Sequence, residues 1–220
     1  MEGGRGISLA VIKRLPRYYR YLGNLIDNDI NRISSKELSK IMNITASQIR
    51  QDLNNFGCFG QQGYGYDVNL LYLEIKKILG LHKFHHMIIV GAGNIGQALA
   101  NYSQFEARGF KFIGIFDSNP KLVNMTIRDI KVYDVDFLEE FLQENVVDIV
   151  ALTLPKEGAI KVSSVVSRYS IKGIWNFSNI DLDVPASIVV ENVHLTDSLM
   201  TLSYKLNEKE ILESVNNMKF

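Results

Sequence analysis

A group of glycines spaced as G-x-G-x-x-G gives the clearest indication of chemistry in this sequence. The segment comprises Gly91, Ala92, Gly93, Asn94, Ile95 and Gly96. In such a loop the first glycine allows a tight turn, the second lets the backbone approach a pyrophosphate, and the third lets a helix pack closely on a strand. The N-terminus of that helix favours phosphate through its free N–H groups and dipole. Because the pattern alone is weak evidence, the flanking segments must decide whether it binds a dinucleotide.

The flanking segments have the order that a dinucleotide-binding unit requires. An apolar strand is predicted over residues 87–90, a helix over 97–105 and a second strand over 111–116. Asp117 ends the second strand, where a carboxylate commonly binds the adenosine ribose. That carboxylate would repel a 2′-phosphate, so NADH and NAD+ are favoured over the phosphorylated cofactors, although Lys121 leaves NADP(H) open.

Alternating helices and strands continue beyond this point. Helices are predicted over 135–144 and 158–168, and strands over 146–152, 173–176 and 187–190. This alternation is typical of a Rossmann-type doubly wound parallel sheet. Ligands bind beyond the carboxyl ends of such strands, so Leu154, Pro155 and Asn176 are candidate cofactor-binding residues. Ordinary strand-to-helix connections explain the same three positions equally well.

The residues before the glycine loop are richer in basic side chains. Residues 1–80 carry 11 basic and 7 acidic side chains, whereas residues 81–220 carry 13 and 17. An amphipathic helix is predicted over residues 11–26, with Pro16 in its first turn. Arg14, Arg17 and Arg20 form a basic stripe along it, which indicates either a surface for a polyanion or a solvated helix face.

A helix-turn-helix is predicted over residues 34–56. Ser34 with Glu37 forms one capping box, and Thr45 with Gln48 forms a second, so two short helices are joined at residues 43–44. Recognition helices present their N-terminal residues to base edges. The candidate DNA-binding residues of the second helix are Ser47, Gln48, Arg50 and Gln51. A plain helical hairpin with a polar face remains the alternative.

A glycine-rich hairpin is predicted after the second helix. Four glycines among aromatic residues over 56–66 suit a tight β-turn, and the hairpin would complete a winged helix. Gln61, Gln62 and Gly63 would form a wing tip that enters the minor groove, supported by Tyr64. Cys58, the only cysteine, is expected to be a buried structural thiol rather than a redox sensor.

Residues for catalysis or metal binding are not evident in the sequence. A dehydrogenase needs a general acid or base beside the nicotinamide. Three of the four histidines lie at 82, 85 and 86, before the first strand, and no sequence pattern pairs His194 with an orienting acid. We therefore expect neither an enzyme nor a metal site. An NAD-dependent oxidoreductase with an N-terminal substrate domain remains the alternative.

The tail carries leucines at helical spacing. A helix is predicted over 195–206 and a weaker one over 208–215, and docking on its own domain is favoured over docking on a partner. The sequence has no apolar run of 18 residues or more, so no membrane association is expected. A cytoplasmic protein is the expectation from this and from the single cysteine.

Several motifs together closely resemble the Rex family of redox-sensing transcriptional repressors. The matching segments are 15–19, 45–52, 56–60, 63–66, 91–96, 116–117, 174–177 and 184–185. The resemblance implies a winged-helix DNA-binding domain (1–82), a Rossmann NAD(H)-binding domain (83–193) and a domain-swapped dimerisation helix (194–220). It also implies a homodimer that binds a palindromic, AT-rich operator and releases it when NADH rises, with NAD+ competing weakly.

The same resemblance implies roles for particular residues. Tyr102 would lie near the nicotinamide, and Arg20 would contact the partner's C-terminal segment in the DNA-free state. Two departures from the family pattern stand out. Gln61 and Gln62 occupy wing positions that are basic in many members, so we expect altered operator affinity. His194 replaces a frequent aspartate, so an ion pair between that position and Arg20 is unavailable.

Overall fold

The computed structural model describes residues 7–57, 60–61 and 64–217, so Cys58, Gln62 and Gly63 lie outside the described residues. The chain divides into two compact units, residues 1–83 and residues 84–220.

The first unit is a winged helix. Its elements are α1 (Leu9–Asp27), β1 (Arg32–Ile33), α2 (Ser35–Met42), α3 (Ala46–Asn54), β2 (Gly60–Gln61), β3 (Gly65–Asp67) and α4 (Val68–Ile78). The three strands form an antiparallel sheet in the order β1-β3-β2. The predicted fold of this unit is confirmed, and the structure adds β1 and α4, which the sequence patterns had not indicated.

Helix α1 is longer than predicted, and this changes the position of its proline. The helix begins at Leu9, capped by Ser8, whose hydroxyl accepts the Val11 N–H at 3.4 Å. Pro16 therefore lies in the helix interior, and the prediction of a first-turn proline is wrong. The neighbouring Leu15 and Tyr18 are fully buried, and we attribute the continuity of the helix to this packing, which offsets the missing backbone hydrogen bond.

The helix-turn-helix forms as predicted, with one difference at its second cap. Ser34 and Glu37 make a complete capping box. Asn43 takes the left-handed conformation, with φ of 54°, and turns the chain towards α3. Thr45 accepts the Gln48 N–H at 3.1 Å, but the Gln48 side chain bonds Asp52 rather than returning to Thr45. The second box is therefore one-sided.

The second unit is a doubly wound parallel sheet, as predicted. Its elements are β4 (His85–Val90), α5 (Asn94–Asn101), a 3-10 helix (Ser103–Arg108), β5 (Phe110–Asp117), β6 (Thr126–Ile127), β7 (Ile130–Asp134), a 3-10 turn (Val135–Phe137), α6 (Leu138–Glu144), β8 (Ile149–Leu152), α7 (Lys156–Val166), β9 (Gly173–Asn176), β10 (Val189–Asn192) and α8 (Leu195–Asn217). The strand order is β10-β9-β8-β4-β5-β7-β6, and β6 alone pairs antiparallel, with β7. The predicted helix over 97–105 is instead α5 and the separate 3-10 helix.

The C-terminal tail is one helix of 23 residues instead of the two predicted. Every side chain from residue 195 to residue 214 is exposed, so the expectation that this helix docks on its own domain is wrong. Its apolar residues include Leu199, which is 65% exposed. Among the described residues, no helix is both long and apolar enough to cross a bilayer.

Candidate DNA-binding face and nucleotide site

Helix α3 presents one polar face to solvent. Ser47, Arg50 and Gln51 are exposed, whereas Ile49, Asp52 and Leu53 are buried on the opposite side. A fourth exposed residue, Asn54, lies seven positions after Ser47 and so shares its face, because residues i, i+3, i+4 and i+7 line one side of a helix. Sequence reasoning missed Asn54, although the helical spacing could have indicated it.

The buried side of α3 contains a carboxylate with four hydrogen bonds. Asp52 is fully buried. It accepts from Arg14 Nε and a terminal nitrogen of Arg14, both at 2.7 Å, from the Tyr18 hydroxyl at 2.9 Å, and from Gln48 Nε2 at 2.8 Å. We call these four side chains the Asp52 cluster. Burial alone would raise the pKa of Asp52, but the bonds from Arg14, Gln48 and Tyr18 outweigh it and hold the pKa below its ordinary value. The cluster therefore ties α3 to α1 through an ionised carboxylate.

Two of the three arginines of α1 make hydrogen bonds within the winged-helix unit. Arg14 belongs to the Asp52 cluster, and Arg17 donates to the Met42 carbonyl at 2.6 Å, at the C-terminal end of α2. Arg20 is exposed, with its guanidinium 5.3 Å from the centre of the Tyr21 ring. The predicted basic stripe is thus not a continuous surface for a polyanion, since two of its three cations hold helices together.

The wing contains a cation that sequence reasoning missed. Arg32 on β1 donates to the Tyr64 carbonyl at 3.4 Å, and its guanidinium lies 6.0 Å from the centre of the Tyr64 ring. Tyr64 is 70% exposed. Gly65 has φ of +72°, and a Cβ there would lie 2.7 Å from the Ile33 carbonyl oxygen, so the turn needs glycine. Gln61 belongs to β2 and pairs with Gly65.

The glycine loop joins β4 to α5, and two of its glycines are required by close contacts. Gly91 has φ of +107°, and a Cβ there would lie 2.7 Å from the Thr153 carbonyl oxygen. At Gly96 a Cβ would lie 1.9 Å from the Gly91 carbonyl oxygen. At Gly93, by contrast, a Cβ would meet no described atom within 4 Å. This open space beside the backbone is where a pyrophosphate can approach.

Side chains around the loop hold it in position. Asp117 Oδ2 accepts the Ala92 N–H at 2.6 Å, and Oδ1 accepts the Asn119 N–H at 2.8 Å. The Thr153 hydroxyl donates to the Gly91 carbonyl at 2.6 Å, and Gln97 Nε2 donates to the Ala92 carbonyl at 2.7 Å. Thr153 is 62 residues from Gly91, so no local sequence signal indicated this contact.

The N-terminus of α5 supplies donors for an anion. The first backbone bond at this end runs from the Gln97 N–H to the Gly93 carbonyl at 2.9 Å. The preceding N–H groups of Asn94, Ile95 and Gly96 therefore lack a carbonyl one turn earlier in the helix. Together with the open space at Gly93 and the carboxylate at the end of β5, these donors fit the phosphates and ribose of a dinucleotide.

The other candidate cofactor residues lie in different environments. Tyr102 follows the last residue of α5, is 49% exposed and donates to Gln104 Oε1 at 3.1 Å. Leu154 is half-buried and Pro155 exposed, after β8. Asn176 is fully buried: its amide donates to Ile180 O and Asn192 Oδ1, both at 2.8 Å, and its oxygen accepts the Ser178 N–H at 3.0 Å. Its polar atoms hold the loop after β9, and a contact between Asn176 and the cofactor stays a prediction.

Potential catalytic and metal-binding groups are sparse in the described part of the chain. No group of three metal-ligating side chains occurs there. His194 Nδ1 is buried and has no hydrogen-bond partner among the described residues. The contact between Arg20 and a partner's tail that the family resemblance implies stays a prediction.

Comparisons with known proteins agree with the two units of the fold. Residues 6–54 match a family model described as putative DNA-binding protein N-terminus, and residues 82–180 match one described as CoA binding domain. The redox-sensing transcriptional repressor Rex of Clostridioides difficile (strain 630) is 56% identical over 208 residues, which is 94% of this chain and 99% of that protein. Its namesake from Clostridium tetani (strain Massachusetts / E88) is 56% identical over 96% of this chain and all of its own length.

Solved structures match over the whole fold. RSP in complex with β-NAD+ and operator DNA has a TM-score of 0.87 and 56% identity, and covers 96% of this chain and 97% of its own. RSP in complex with β-NADH has the same TM-score and 54% identity, with 95% and 98% coverage. RSP is a Rex-family repressor.

Fold and site together define a two-domain protein, in which a winged helix is followed by a dinucleotide-binding sheet. Its relatives are named as transcriptional repressors and not as dehydrogenases, which decides against the oxidoreductase alternative. The chain belongs to the Rex family of redox-sensing transcriptional repressors.

Proposed function

We propose that this protein is an NADH-responsive repressor that binds a palindromic, AT-rich operator as a homodimer and releases it when the ratio of NADH to NAD+ rises. One observation carries the proposal. A single chain combines a winged helix whose helix α3 has an exposed polar face with a complete glycine loop and a carboxylate, Asp117, at the end of the second strand of the sheet unit. Because its ligand is the operator, we place the protein in the cytoplasm with the chromosome.

The DNA-binding role rests on α3 and the wing. Helix α3 exposes hydroxyl, guanidinium and amide groups, the groups that pair with base edges in the major groove. Arg50 donates to the Ser35 hydroxyl at 3.0 Å, which leaves other guanidinium N–H groups for a guanine or a phosphate. Tyr64 and Arg32 stand at the wing, where the second contact with the duplex is expected.

The nucleotide-sensing role rests on the glycine loop. When bound, NADH differs from NAD+ in a neutral, non-planar dihydronicotinamide, so the sensor must distinguish the two at that ring. The loop, the α5 N-terminus and Asp117 bind the part that NADH and NAD+ share. Tyr102, which follows the last residue of α5, is the candidate for sensing the ring, because the family resemblance implies that it lies near the nicotinamide.

The homodimer rests on the exposed apolar surface of α8. Leu195, Leu199, Leu202 and Leu206 are each more than half exposed, which is unfavourable for a long helix in water. An apolar cavity of about 440 Å³ is lined by Met87, Phe110, Ile149, Trp175 and Val189 on the sheet of the same unit. Exchange of α8 between two copies would cover apolar surface of this kind, and sedimentation velocity of the full chain measures the resulting dimer.

The decisive experiment titrates NADH into a repressor–operator complex. The operator is first selected from a randomised palindromic DNA library with the full-length protein in NAD+. Fluorescence anisotropy then follows the labelled operator while NADH is added at constant total nucleotide. We expect release as the NADH fraction rises. If the complex survives saturating NADH as well as it survives NAD+, the proposed function is wrong.

A further inference from the structure

The side chain of Gln48 behaves differently from its neighbours on the recognition helix. Ser47, Arg50 and Gln51 are exposed, but Gln48 is half-buried and points back to its own helix. Its Nε2 donates to Asp52 Oδ1 at 2.8 Å, four residues further on. The same oxygen accepts from Arg14 at 2.7 Å. Gln48 is therefore part of the Asp52 cluster, although its position in the first turn of α3 is one at which base contacts are common.

We propose that Gln48 is a positioning residue that fixes the recognition helix on α1 through Asp52 and makes no base contact. Base recognition by α3 then belongs to its exposed residues, Ser47, Arg50, Gln51 and Asn54. The inference rests on the proposed function, because it concerns how the same DNA-binding face is held and which of its side chains face the operator.

The chemistry of the amide group supports this assignment. A glutamine that recognises adenine uses its nitrogen and its oxygen together, as donor and acceptor to the same base. In Gln48 the nitrogen already donates to a carboxylate, and hydrogen bonds to charged groups are stronger than neutral ones. Turning the amide towards a base would remove one of four donors from a fully buried carboxylate, which is unfavourable.

The geometry supports it as well. Asp52 receives donors from two directions: Gln48 from α3 itself, and Arg14 and Tyr18 from α1. Successive residues of a helix are separated by 100° of rotation, so a small rotation of α3 about its axis displaces every exposed side chain relative to the DNA. By holding the Asp52 carboxylate in one orientation, Gln48 fixes this rotation.

The test compares two glutamines on the same helix. Gln48→Ala and Gln51→Ala remove the same amide group from positions three residues apart, one bound to Asp52 and one exposed. Gln48→Met provides a side chain of similar length that cannot donate, and it separates loss of the bond from loss of bulk. Each full-length protein is titrated, in NAD+, against the selected operator and against a panel with one symmetric base-pair substitution at each position.

We expect Gln48→Ala and Gln48→Met to weaken binding of every operator by a similar factor, about 5- to 150-fold for one lost hydrogen bond in each of the two subunits, with base preferences unchanged. A base-contacting glutamine instead loses roughly 5- to 150-fold discrimination at one base pair, which is the result expected for Gln51→Ala if it contacts a base. The inference is overturned if Gln48→Ala relaxes preference at a single base pair, or if it changes neither affinity nor preference.

Two further measurements separate the possible failures. If wild-type protein does not bind the selected operator, the proposed function fails and not this inference. Side-chain amide NMR signals, assigned by their loss in the two alanine variants, test the unmodified protein. We expect the Gln48 signal to keep its chemical shift when operator is added. A shift as large as that of a base-contacting amide would overturn the inference, even if the Gln48 variants fold poorly.

Discussion

The two units of this protein build their sites from different materials. In the nucleotide unit the site consists mostly of backbone: glycines without Cβ atoms, free N–H groups at the start of α5, and a carboxylate oriented by two backbone N–H groups. In the winged helix the binding face consists of side chains. That face is held by further side chains, which meet at the buried carboxylate of Asp52.

This difference decides how each site can fail. A site made of backbone depends on the conformation of the main chain and on the space around it. Atoms added to its glycines therefore damage it. A side-chain site depends on partners contributed by other helices, so removed atoms damage it. Substitutions that add a methyl group in one unit or delete a carboxylate in the other therefore test the contrast directly.

The largest effect is expected from Asp52→Ala. It leaves Arg14, whose side chain is 23% exposed, without its carboxylate, and breaking a largely buried pair costs about 3–5 kcal/mol. We expect a loss near the lower end of that range, because Arg14 is partly solvated. Urea unfolding of the full chain followed by far-UV circular dichroism measures it.

Asp148→Ala is the matched control for this prediction. Asp148 is also buried and accepts from Lys172 at 2.6 Å, but it belongs to the nucleotide unit, as does Trp175, the only tryptophan. Asp148→Ala should shift the unfolding transition seen by tryptophan fluorescence, whereas Asp52→Ala should leave that transition in place. Equal shifts from both variants would contradict the independence of the two carboxylates.

The next largest effect is expected from Gly96→Ala. Its Cβ would lie 1.9 Å from the Gly91 carbonyl oxygen, a backbone atom that cannot move without disturbing the turn. Overpacking of this kind costs about 1–3 kcal/mol or more. We expect NADH binding to be lost by isothermal titration calorimetry, while operator binding persists and no longer responds to NADH.

Gly93→Ala tests whether the open space beside Gly93 is needed by the fold or by the bound nucleotide. Its Cβ meets no described atom within 4 Å, and φ at this residue is −70°, so the unliganded protein should keep its melting temperature. NADH binding should nevertheless weaken, because the methyl group enters the space of the pyrophosphate. A lower melting temperature without NADH, matching that of Gly96→Ala, would show that the open space belongs to the fold.

The same contrast explains how far the sequence could predict this structure. The glycine loop, Asp117 and the caps at Ser34 and Thr45 follow from spacing, because backbone constraints act over a few residues. The Asp52 cluster could not be predicted in this way, since Asp52 lies 38 residues from Arg14. Arg14 was therefore interpreted as part of a basic stripe, and the base contact predicted for Gln48 took no account of its bond to Asp52.

The tail shows a different limit. The spacing of its leucines predicted a helix, and the structure has one, but periodicity cannot tell which surface a helix will meet. Docking on its own unit was expected, and the helix is exposed instead. Similarly, local rules predicted that Pro16 marks the start of α1. The helix instead continues through Pro16, and the side chains next to it pack against buried residues of α2, α3 and α4.

Acid should weaken the winged helix through Asp52. Because the pKa of this carboxyl is lower in the folded state than its ordinary value near 3.9, its contribution to stability is complete above that value. It is lost as pH falls through the lower, folded-state pKa, at about 1.4 kcal/mol for each unit of difference. Far-UV circular dichroism melts between pH 6 and pH 2 measure the loss. Asp52→Asn should give a flatter profile from a lower starting stability, and a profile as steep as that of the wild type would assign the acid response to other carboxylates.

The smallest expected effect concerns the wing, and it tests whether Arg32 supplies positive charge where Gln61 and Gln62 do not. Arg32→Ala should weaken operator binding modestly at low salt. Each phosphate contact contributes about 0.9 to the slope of log K against log salt concentration, so a dimer that loses one contact per subunit should bind with a slope flatter by about 1.8. Lys161→Ala is the control, because it removes the same charge from an exposed position on α7 of the nucleotide unit. If the two variants give the same slope, Arg32 stabilises Tyr64 without touching phosphate, and the wing contacts DNA without a cation from β1.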